Sequence, residues 1–277
     1  MKNLLNILLI ILSIKLNAQV SKKIEILNAD STFSNSIKHP NYWRLIGNVS
    51  FKHNNAIMNC DSAYHYANKN SMTAFGKIKI TKGDSITLTG NELTYFGLEN
   101  KIDIKGNVVL IDKYMVLKTE QLFYNLHSNI AYYPSFGNII EKEKNINSKK
   151  GEYHSNIHNF IFKDSVTITG KNYTVLTDNM RYNTNSEIAY FFGPSYIVSK
   201  NKTIYCENGW YNIKTNISQF QNNAHITTKK YILKSDSMYY DKNLGYAKAL
   251  KNVELIDTIK QVTVSGDFGE YFEIQEV

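Results

Sequence analysis

The segment LKTEQLFY, residues 117–124, is one copy of a pattern that recurs along most of this 277-residue chain. Its first position is apolar, its third is small, its fourth is polar and its eighth is tyrosine. Six successive copies of this octad place the tyrosine at 29-residue intervals: Tyr95, Tyr124, Tyr153, Tyr182, Tyr211 and Tyr240. Looser copies lie at 26–33, 58–65 and 264–271. A fixed period predicts stacked repeats, which present one surface many times instead of a single catalytic constellation.

A second segment follows each octad and also alternates between apolar and polar residues. Its clearest copies begin with glycine, as in GNVSF at 47–51, GKIKI at 76–80 and GNVVL at 106–110. Alternation with a period of two is typical of β-strands, and the short Asn-rich segments between the two patterns are typical of tight turns. We therefore expect about two long strands in each repeat, joined as antiparallel hairpins. A parallel β-helix with coils of similar length is the alternative.

The apolar positions of the octad change parity at its fourth residue. Positions one and three are apolar or small, and so are positions six and eight. A strand whose inward face changes parity must contain a bulge or a corner, and the glycine that opens the second segment indicates another bend. The pattern thus predicts an all-β fold in which bent strands cross two facing sheets and enclose a long apolar groove.

Residues 1–18 have the composition of a secretory signal peptide. Lys2 supplies a short positive region, residues 4–16 are mostly apolar, and Ala18 is a small residue at the predicted cleavage site. The apolar stretch is too short for a spanning helix, and no cysteine follows the cleavage site to carry a lipid anchor. We expect the protein to be exported, with residues 19–277 forming a single mature domain.

The mature chain is predicted to be mildly basic. Loss of Lys2 and Lys15 lowers the formal charge from +8 to +6, and the chain has no basic cluster. This charge suits an anionic glycolipid or membrane surface better than nucleic acid, which is not an expected partner. Cys60 and Cys206 share the third octad position five repeats apart. At two strands per repeat they are roughly 50 Å apart, so no disulfide is expected.

No pattern in the sequence predicts catalysis, a metal site or a cofactor. His154 and His158 are four residues apart, a spacing that would join them on a helix but not on a strand and turn. We interpret the polar residues at octad position four as corner or capping groups: Asp61, Asn91, Glu120, Asp178, Glu207, Asp236 and Asp267. The tyrosine series is interpreted as cross-strand packing rather than as a surface for stacking sugars.

Several segments, in this order, resemble the OstA-like (organic solvent tolerance) family. They are LIGNV at 45–49, AIMNCDSAY at 56–64, LTG at 88–90, GNVVL at 106–110, AYFFGP at 189–194 and IYCENGWY at 204–211. This family includes the periplasmic lipopolysaccharide transport protein LptA and the amino-terminal domain of LptD. The likeness covers essentially the whole mature chain and is strongest for the versions found in Bacteroidetes-type bacteria.

The resemblance implies an open β-jellyroll, or β-taco, whose groove shields the acyl chains of lipopolysaccharide on the way to the outer membrane. It implies no catalytic residues and no cofactor. Octad parity predicts ten residues on the groove lining: Met58, Leu88, Leu93, Leu117, Leu122, Val175, Met180, Ile204, Leu233 and Met238.

The family also joins its members edge to edge. We therefore expect strand addition by an inner-membrane LptC-like protein at the amino edge, and by an outer-membrane LptD-like protein or a second copy at the carboxyl edge. Both terminal segments alternate cleanly, and they lack the prolines that usually blunt an exposed edge. The residues predicted to take part are Ile24, Ile26, Val262, Val264 and Tyr271.

Two other functions stay open at this point. A non-catalytic periplasmic scaffold or adhesin would use the same repeat around a fully packed interior and would take up no lipid. A carbohydrate-active β-helix would need a unique acidic or histidine cluster on one face, and the sequence shows none.

Overall fold

A computed structural model of the chain describes residues 23–35, 39–84 and 86–272. The predicted signal peptide, residues 1–18, lies outside the described residues, as do the last residues of the predicted carboxyl edge, 273–277. The helical segments among the described residues are two 3-10 turns, Ala67–Lys69 and Ser155–Ile157. No helix in these ranges is long and apolar enough to cross a membrane.

Twenty β-strands form one continuous sheet over the described residues. The strands are β1 (Glu25–Asn28), β2 (Ser31–Asn35), β3 (His39–His53), β4 (Ala56–Tyr66), β5 (Ser71–Lys82), β6 (Ile86–Phe96), β7 (Lys101–Ile111), β8 (Val116–Asn125), β9 (Ile130–Tyr133), β10 (Gly137–Glu141), β11 (Lys144–Ser148), β12 (Lys150–His154), β13 (Asn159–Thr169), β14 (Tyr173–Asn183), β15 (Ile188–Ser199), β16 (Lys202–Asn212), β17 (Ile217–Thr228), β18 (Tyr231–Asp241), β19 (Tyr246–Asp257) and β20 (Val262–Phe272).

Every pairing in this sheet is antiparallel, and the long strands pair in the order of the chain. This confirms the prediction of two antiparallel strands per repeat and excludes the parallel β-helix. The sheet departs from this plan at its middle, where two long strands are each replaced by two short ones. β9 and β10 both pair with β8, and β11 and β12 both pair with β13. Pro134 lies in the interruption between β9 and β10, where it removes a backbone donor.

A register shift lies near the middle of each long strand pair, where the octad changes parity. In β7 and β8, Lys105 pairs with Gln121 and Val108 pairs with Thr119, so that Gly106 and Asn107 together oppose one residue of β8. Both have positive φ, 78° and 49°. The bend predicted in the octad and the bend predicted at the glycine therefore lie opposite each other in neighbouring strands and form one corner. The extra residue belongs to the strand that contains Gly106.

The corner folds each long strand into two halves that face each other. The 11 residues of β6 would extend about 36 Å if straight. Yet Lys82, at one end of β5, donates a hydrogen bond of 2.7 Å to the carbonyl oxygen of Leu126, which lies beyond the opposite end of β8. The sheet must double over for these ends to meet. Apolar side chains from both halves fill the space between the two layers as one hydrophobic cluster.

Polar side chains at octad position four cap the corner. Asn223 donates to Glu207 Oε1 at 2.8 Å, and Asn252 donates to Asp236 Oδ2 at 2.9 Å. Both asparagines have positive φ, so a conformation that most residues avoid is stabilised by a side-chain hydrogen bond. The contacts agree with the interpretation of these polar residues as corner groups.

Gly106→Ala tests the corner. A Cβ at Gly106 would lie 2.9 Å from Asn91 Nδ2, on a backbone with φ of +78°. We expect the free energy of unfolding to fall by about 1–2 kcal/mol, as measured by urea unfolding followed by circular dichroism. Gly266→Ala is the matched control in β20, because its nearest neighbour is 3.7 Å away. Its effect should stay within about 0.5 kcal/mol, and equal effects at both sites would contradict the corner's role.

Candidate functional site

The space between the two layers is apolar from β3 to β19. All ten residues predicted to line the groove lie in this space, each exposed by 7% or less. Parity holds on both sides of the corner, since Leu117 and Leu122 are both buried while Lys118 and Phe123 point outwards. The octad therefore supplies an apolar lining along the whole stack.

The lining changes character along the stack. At β12 and β13, three rings stack in sequence, with centroids of Tyr153 and Phe160 4.2 Å apart and those of Phe160 and Phe162 5.2 Å apart. Towards the carboxyl end several buried positions carry small side chains: Ala189, Ser195, Ser218, Ala224, Ala247 and Ala249. They alternate with large buried side chains such as Phe220, Met238 and Tyr240.

The free ends of the two layers meet along a line that we call the seam. The first margin consists of the turns that follow β3, β5, β7, β10, β13, β15, β17 and β19: 54–55, 83–84, 112–115, 142–143, 170–172, 200–201, 229–230 and 258–261. The second margin consists of the turns after the octads: 67–70, 97–100, 126–129, 155–158, 184–187, 213–216 and 242–245. The described residues show no backbone pairing between the margins, so the jellyroll is open in its hydrogen-bonding pattern and only side chains close it.

The tyrosine series supplies most of this closure. Four hydroxyls bond a residue on or beside the first margin: Tyr95 with His53, Tyr153 with Asp112, Tyr182 with Lys144, and Tyr240 with Lys202. The partners are 38 to 42 residues apart in the chain, so each tyrosine reaches the margin of a different repeat. Tyr124 is linked indirectly, through Asn129, which also accepts a 2.6 Å hydrogen bond from Lys82. The ring of each tyrosine packs the interior, while its hydroxyl fastens the seam.

Burial sets the protonation of these groups. Desolvation raises the pKa of Tyr124 to about 12, and that of Tyr211 to about 12 as well. The pKa of Tyr153 is also raised, by burial first and then by its hydrogen bond to Asp112. Desolvation lowers the pKa of Lys82 at the seam. The hydroxyls therefore remain neutral hydrogen-bonding groups at physiological pH.

The two margins differ in how they are held. Each turn of the second margin from 97 onwards donates a backbone hydrogen bond to the turn before it: Gly97 to Asn70, Leu126 to Asn100, Ser155 to Asn129, Thr184 to His158, Ile213 to Glu187, and Lys242 to Asn216. In the first margin, among the described residues, the corresponding backbone bond joins Thr258 to Lys230. The second margin is thus continuously linked and the first is mostly not.

The two edges of the sheet also differ. At the amino edge, β1 and β2 each cover part of β3, and the Ile24 amide donates to Asn70 Oδ1 at 2.8 Å. At the carboxyl edge, β20 is one uninterrupted strand whose Val262 and Val264 are 52% and 62% exposed. Ile26 pairs with Phe51, and Tyr271 pairs with Ala247. Among the described residues, the longer edge without a pairing strand is therefore the carboxyl one.

Other candidate chemistry is dispersed. His154 contacts Glu152, whereas the ring of His158 lies 4.8 Å from that of Tyr114. Within residues 23–35, 39–84 and 86–272, no group of three His, Cys, Asp or Glu side chains is arranged to hold a metal. Cys60 and Cys206 are free and buried, and burial raises the Cys60 pKa to about 11, so this thiol is unreactive at neutral pH.

Sequence reasoning missed the residues that fasten the first margin. Lys144 and Lys202 each lie two residues before an octad, as do Tyr173 and Tyr231. Since side chains alternate, this position has the same inward parity as octad position one. If the inward-facing alternation is continued to the position two residues before each octad, it places these side chains at the mouth of the groove.

Comparison with known proteins gave one family match. The model of the OstA-like protein family matches residues 21–178 and 165–236. No curated protein matches the chain. Among solved structures, it is similar to LptH from Pseudomonas aeruginosa, described as the LptA-homologous periplasmic component of the conserved lipopolysaccharide transport device. That match has 14% identity and a TM-score of 0.38, and it covers 47% of this chain and 95% of that one.

Tyr153→Phe tests the seam. The substitution removes the 2.7 Å hydrogen bond to Asp112 but keeps the ring that stacks on Phe160. We expect a loss of about 1 kcal/mol in the free energy of unfolding, with faster hydrogen exchange at 112–115. Tyr190→Phe, on the outer face, is the control and should change stability by less than about 0.5 kcal/mol. Unchanged exchange at 112–115 would show that the hydroxyl does not fasten the margin.

Proposed function

The chain belongs to the OstA-like protein family, and we propose that it shields the acyl chains of lipopolysaccharide in its interior as the lipid crosses the periplasm. The observation that carries the proposal is the continuous apolar space between two layers whose margins are closed by side chains alone. Acyl chains need a lining without unpaired charge, and the buried faces of the octads supply one. The role is transport without catalysis, and the proposed form is a single mature domain exported by residues 1–18.

Loading requires the layers to part, because the interior is filled by its own side chains. The largest of these are buried almost completely, including Tyr133, Phe160 and Phe191. An acyl chain that enters replaces one apolar contact with another, so the exchange inside the groove is nearly balanced. The free energy that opposes opening comes from the seam, where each hydrogen bond contributes about 0.5–1.5 kcal/mol. Opening over one or two repeats therefore costs only a few kcal/mol, which bound lipid can offset.

Partners are proposed at the two ends of the stack. The exposed side of β20 offers unpaired N–H and C=O groups to an incoming strand of an outer-membrane LptD-like protein or of a second copy. The amino edge, formed by β1 and β2, is proposed to receive an inner-membrane LptC-like protein. Together these contacts would extend one apolar interior from membrane to membrane.

A packed scaffold is the second candidate, favoured by the dense interior. A protein that served only as a rod would need the same apolar filling but no seam that can open. Lipid uptake separates the two functions.

Co-purified lipid provides the test. We expect mass spectrometry of the mature protein from its native envelope to detect lipopolysaccharide, and Leu117→Asp to abolish it by placing a charge in the lining. Val109→Asp is the matched control, since Val109 points outwards beside the buried Val108 and Leu110.

Folding is checked by circular dichroism in both variants. If Leu117→Asp unfolds the chain, the milder pair Leu117→Thr and Val109→Thr carries the comparison. Absence of lipid from the wild-type protein would support the scaffold and contradict transport.

Strand addition at the carboxyl edge makes a separate prediction. Thr263 and Val264 are neighbours on β20, and successive amides of a strand point to opposite sides, so one of the two faces outwards. A proline at that position removes an unpaired donor and leaves the pairing with β19 intact. We expect one of Thr263→Pro and Val264→Pro to keep the melting temperature of the wild type yet prevent its association at high concentration, as measured by sedimentation velocity. A wild-type protein that stays monomeric, and captures no partner on cross-linking in the envelope, would contradict the edge proposal.

A further inference from the structure

The seam is interrupted at one place in the carboxyl half. Tyr173 and Tyr211 are 38 residues apart, the spacing that separates Lys144 from Tyr182 and Lys202 from Tyr240. Those two pairs are hydrogen bonded across the seam. Tyr211 instead donates to Asn216 on its own margin, at 2.8 Å. The Tyr173 hydroxyl oxygen is buried and has no hydrogen-bond partner among the described residues. One fastening of a regular series is therefore missing.

A cavity of about 230 Å³ opens at this gap. Val175, Ile197 and Ile204 give it an apolar floor that is continuous with the core. Lys202 and Lys242 lie at its rim, and none of the described residues that line it has a carboxylate. Two acids whose charges act on Tyr173 are paired with lysines, Glu141 with Lys144 at 3.6 Å and Glu187 with Lys142 at 2.5 Å. Asp241, next to Lys242, accepts hydrogen bonds from the Asn243 and Leu244 amides of its own turn. The rim is therefore positively charged above an apolar floor.

The chemistry of the cavity selects its occupant. A buried hydroxyl without a hydrogen-bond partner destabilises the folded protein, and an acceptor oxygen from a ligand would remove this cost. Two ammonium groups at the rim favour an anionic ligand, whereas the floor favours an alkyl chain. The volume is below the roughly 300–1,000 Å³ of pockets that enclose whole ligands. The cavity thus fits the leading part of a chain rather than a complete lipid.

We propose that this gap, lined by Tyr173, Val175, Ile204, Lys202 and Lys242, is the port through which an acyl chain of an anionic amphiphile enters the interior. The acyl chain passes over Val175 and Ile204, while Lys202 and Lys242 bind the anionic head group at the mouth. The Tyr173 hydroxyl donates a hydrogen bond to an oxygen of the ligand. Lys202 can act there without leaving Tyr240, because an ammonium group has three donors. The proposal rests on the proposed lipid-carrying function and names a lateral entrance to the interior, in addition to the two ends of the stack.

Binding of soluble amphiphiles tests the head-group site. The probes are dodecyl phosphate, dodecylphosphocholine and inorganic phosphate, each titrated calorimetrically below its micelle concentration. We expect dodecyl phosphate to bind most tightly, and the double variant Lys202→Gln/Lys242→Gln to bind it roughly 30-fold more weakly. Lys202→Arg/Lys242→Arg should retain binding, which separates charge from a structural effect of losing the Lys202–Tyr240 contact. Lys118→Gln/Lys163→Gln, on the exposed outer surface, is the charge-matched control and should bind as wild type does.

Each alternative result has a meaning. Equal binding of inorganic phosphate and dodecyl phosphate would overturn the port and leave a plain anion site. Equal binding of dodecyl phosphate and dodecylphosphocholine, or an equal loss in the outer-surface control, would overturn the role of the two lysines.

Photo-crosslinking locates the point of entry. The photoreactive residue p-benzoylphenylalanine is placed at Tyr173 or, as control, at Ile86, which holds the same position relative to its octad but lies where Lys82 fastens the seam. After mixing with lipopolysaccharide, crosslinks at 173 should form first and severalfold faster than at 86. Simultaneous crosslinks at both sites would overturn the port while leaving lipid carriage intact. No crosslink at either site, together with no co-purified lipid, would overturn both proposals.

Discussion

Without the left-handed backbone corner near the middle of β3, β5, β7, β13, β15, β17 and β19, this chain would have no interior. A flat antiparallel sheet would leave its apolar face in water, since no helix among the described residues could cover it. Gly106 and Asn107, with positive φ, turn the strand at the point where Glu120 faces them alone. The second half of the sheet then covers the first. Because the corner repeats at a fixed spacing, the covered space is continuous, and the apolar side chains between the two layers form one long core.

Octad parity predicted the buried face of each strand, because which face a side chain takes depends only on the order of residues within that strand. Leu117 and Leu122 could be assigned to the same side before any three-dimensional information, and they lie there. The seam could not be foretold in this way. Its partners, such as Lys202 and Tyr240, belong to different repeats, and the offset between them is set by the accumulated twist and fold of the sheet.

The split strands at the centre escaped sequence reasoning for a related reason. Tyr133 is buried where added side-chain atoms at Gly137 and Gly151 would collide with its ring, and its hydroxyl bonds Ser148 at 2.6 Å. Three residues on different strands must be small, or correctly placed, for that ring to fit. A single-sequence pattern records each of them separately and says nothing of their meeting. The regular parts of this fold can therefore be predicted from the periodicity of the sequence. The split strands cannot, because they depend on contacts between residues of different strands.

The unequal margins imply a direction for any movement. The turns of the second margin are linked by backbone hydrogen bonds from Gly97 to Lys242, so we expect that side to stay fixed. The first margin is the side that we expect to move. Each repeat also touches only its neighbours, so opening at one place weakens the closure next to it more than closure farther away. An opening at one repeat would therefore favour opening at the next, while repeats farther away stay closed. For the transport we propose, a bulky cargo could then move along the stack with most of the seam closed.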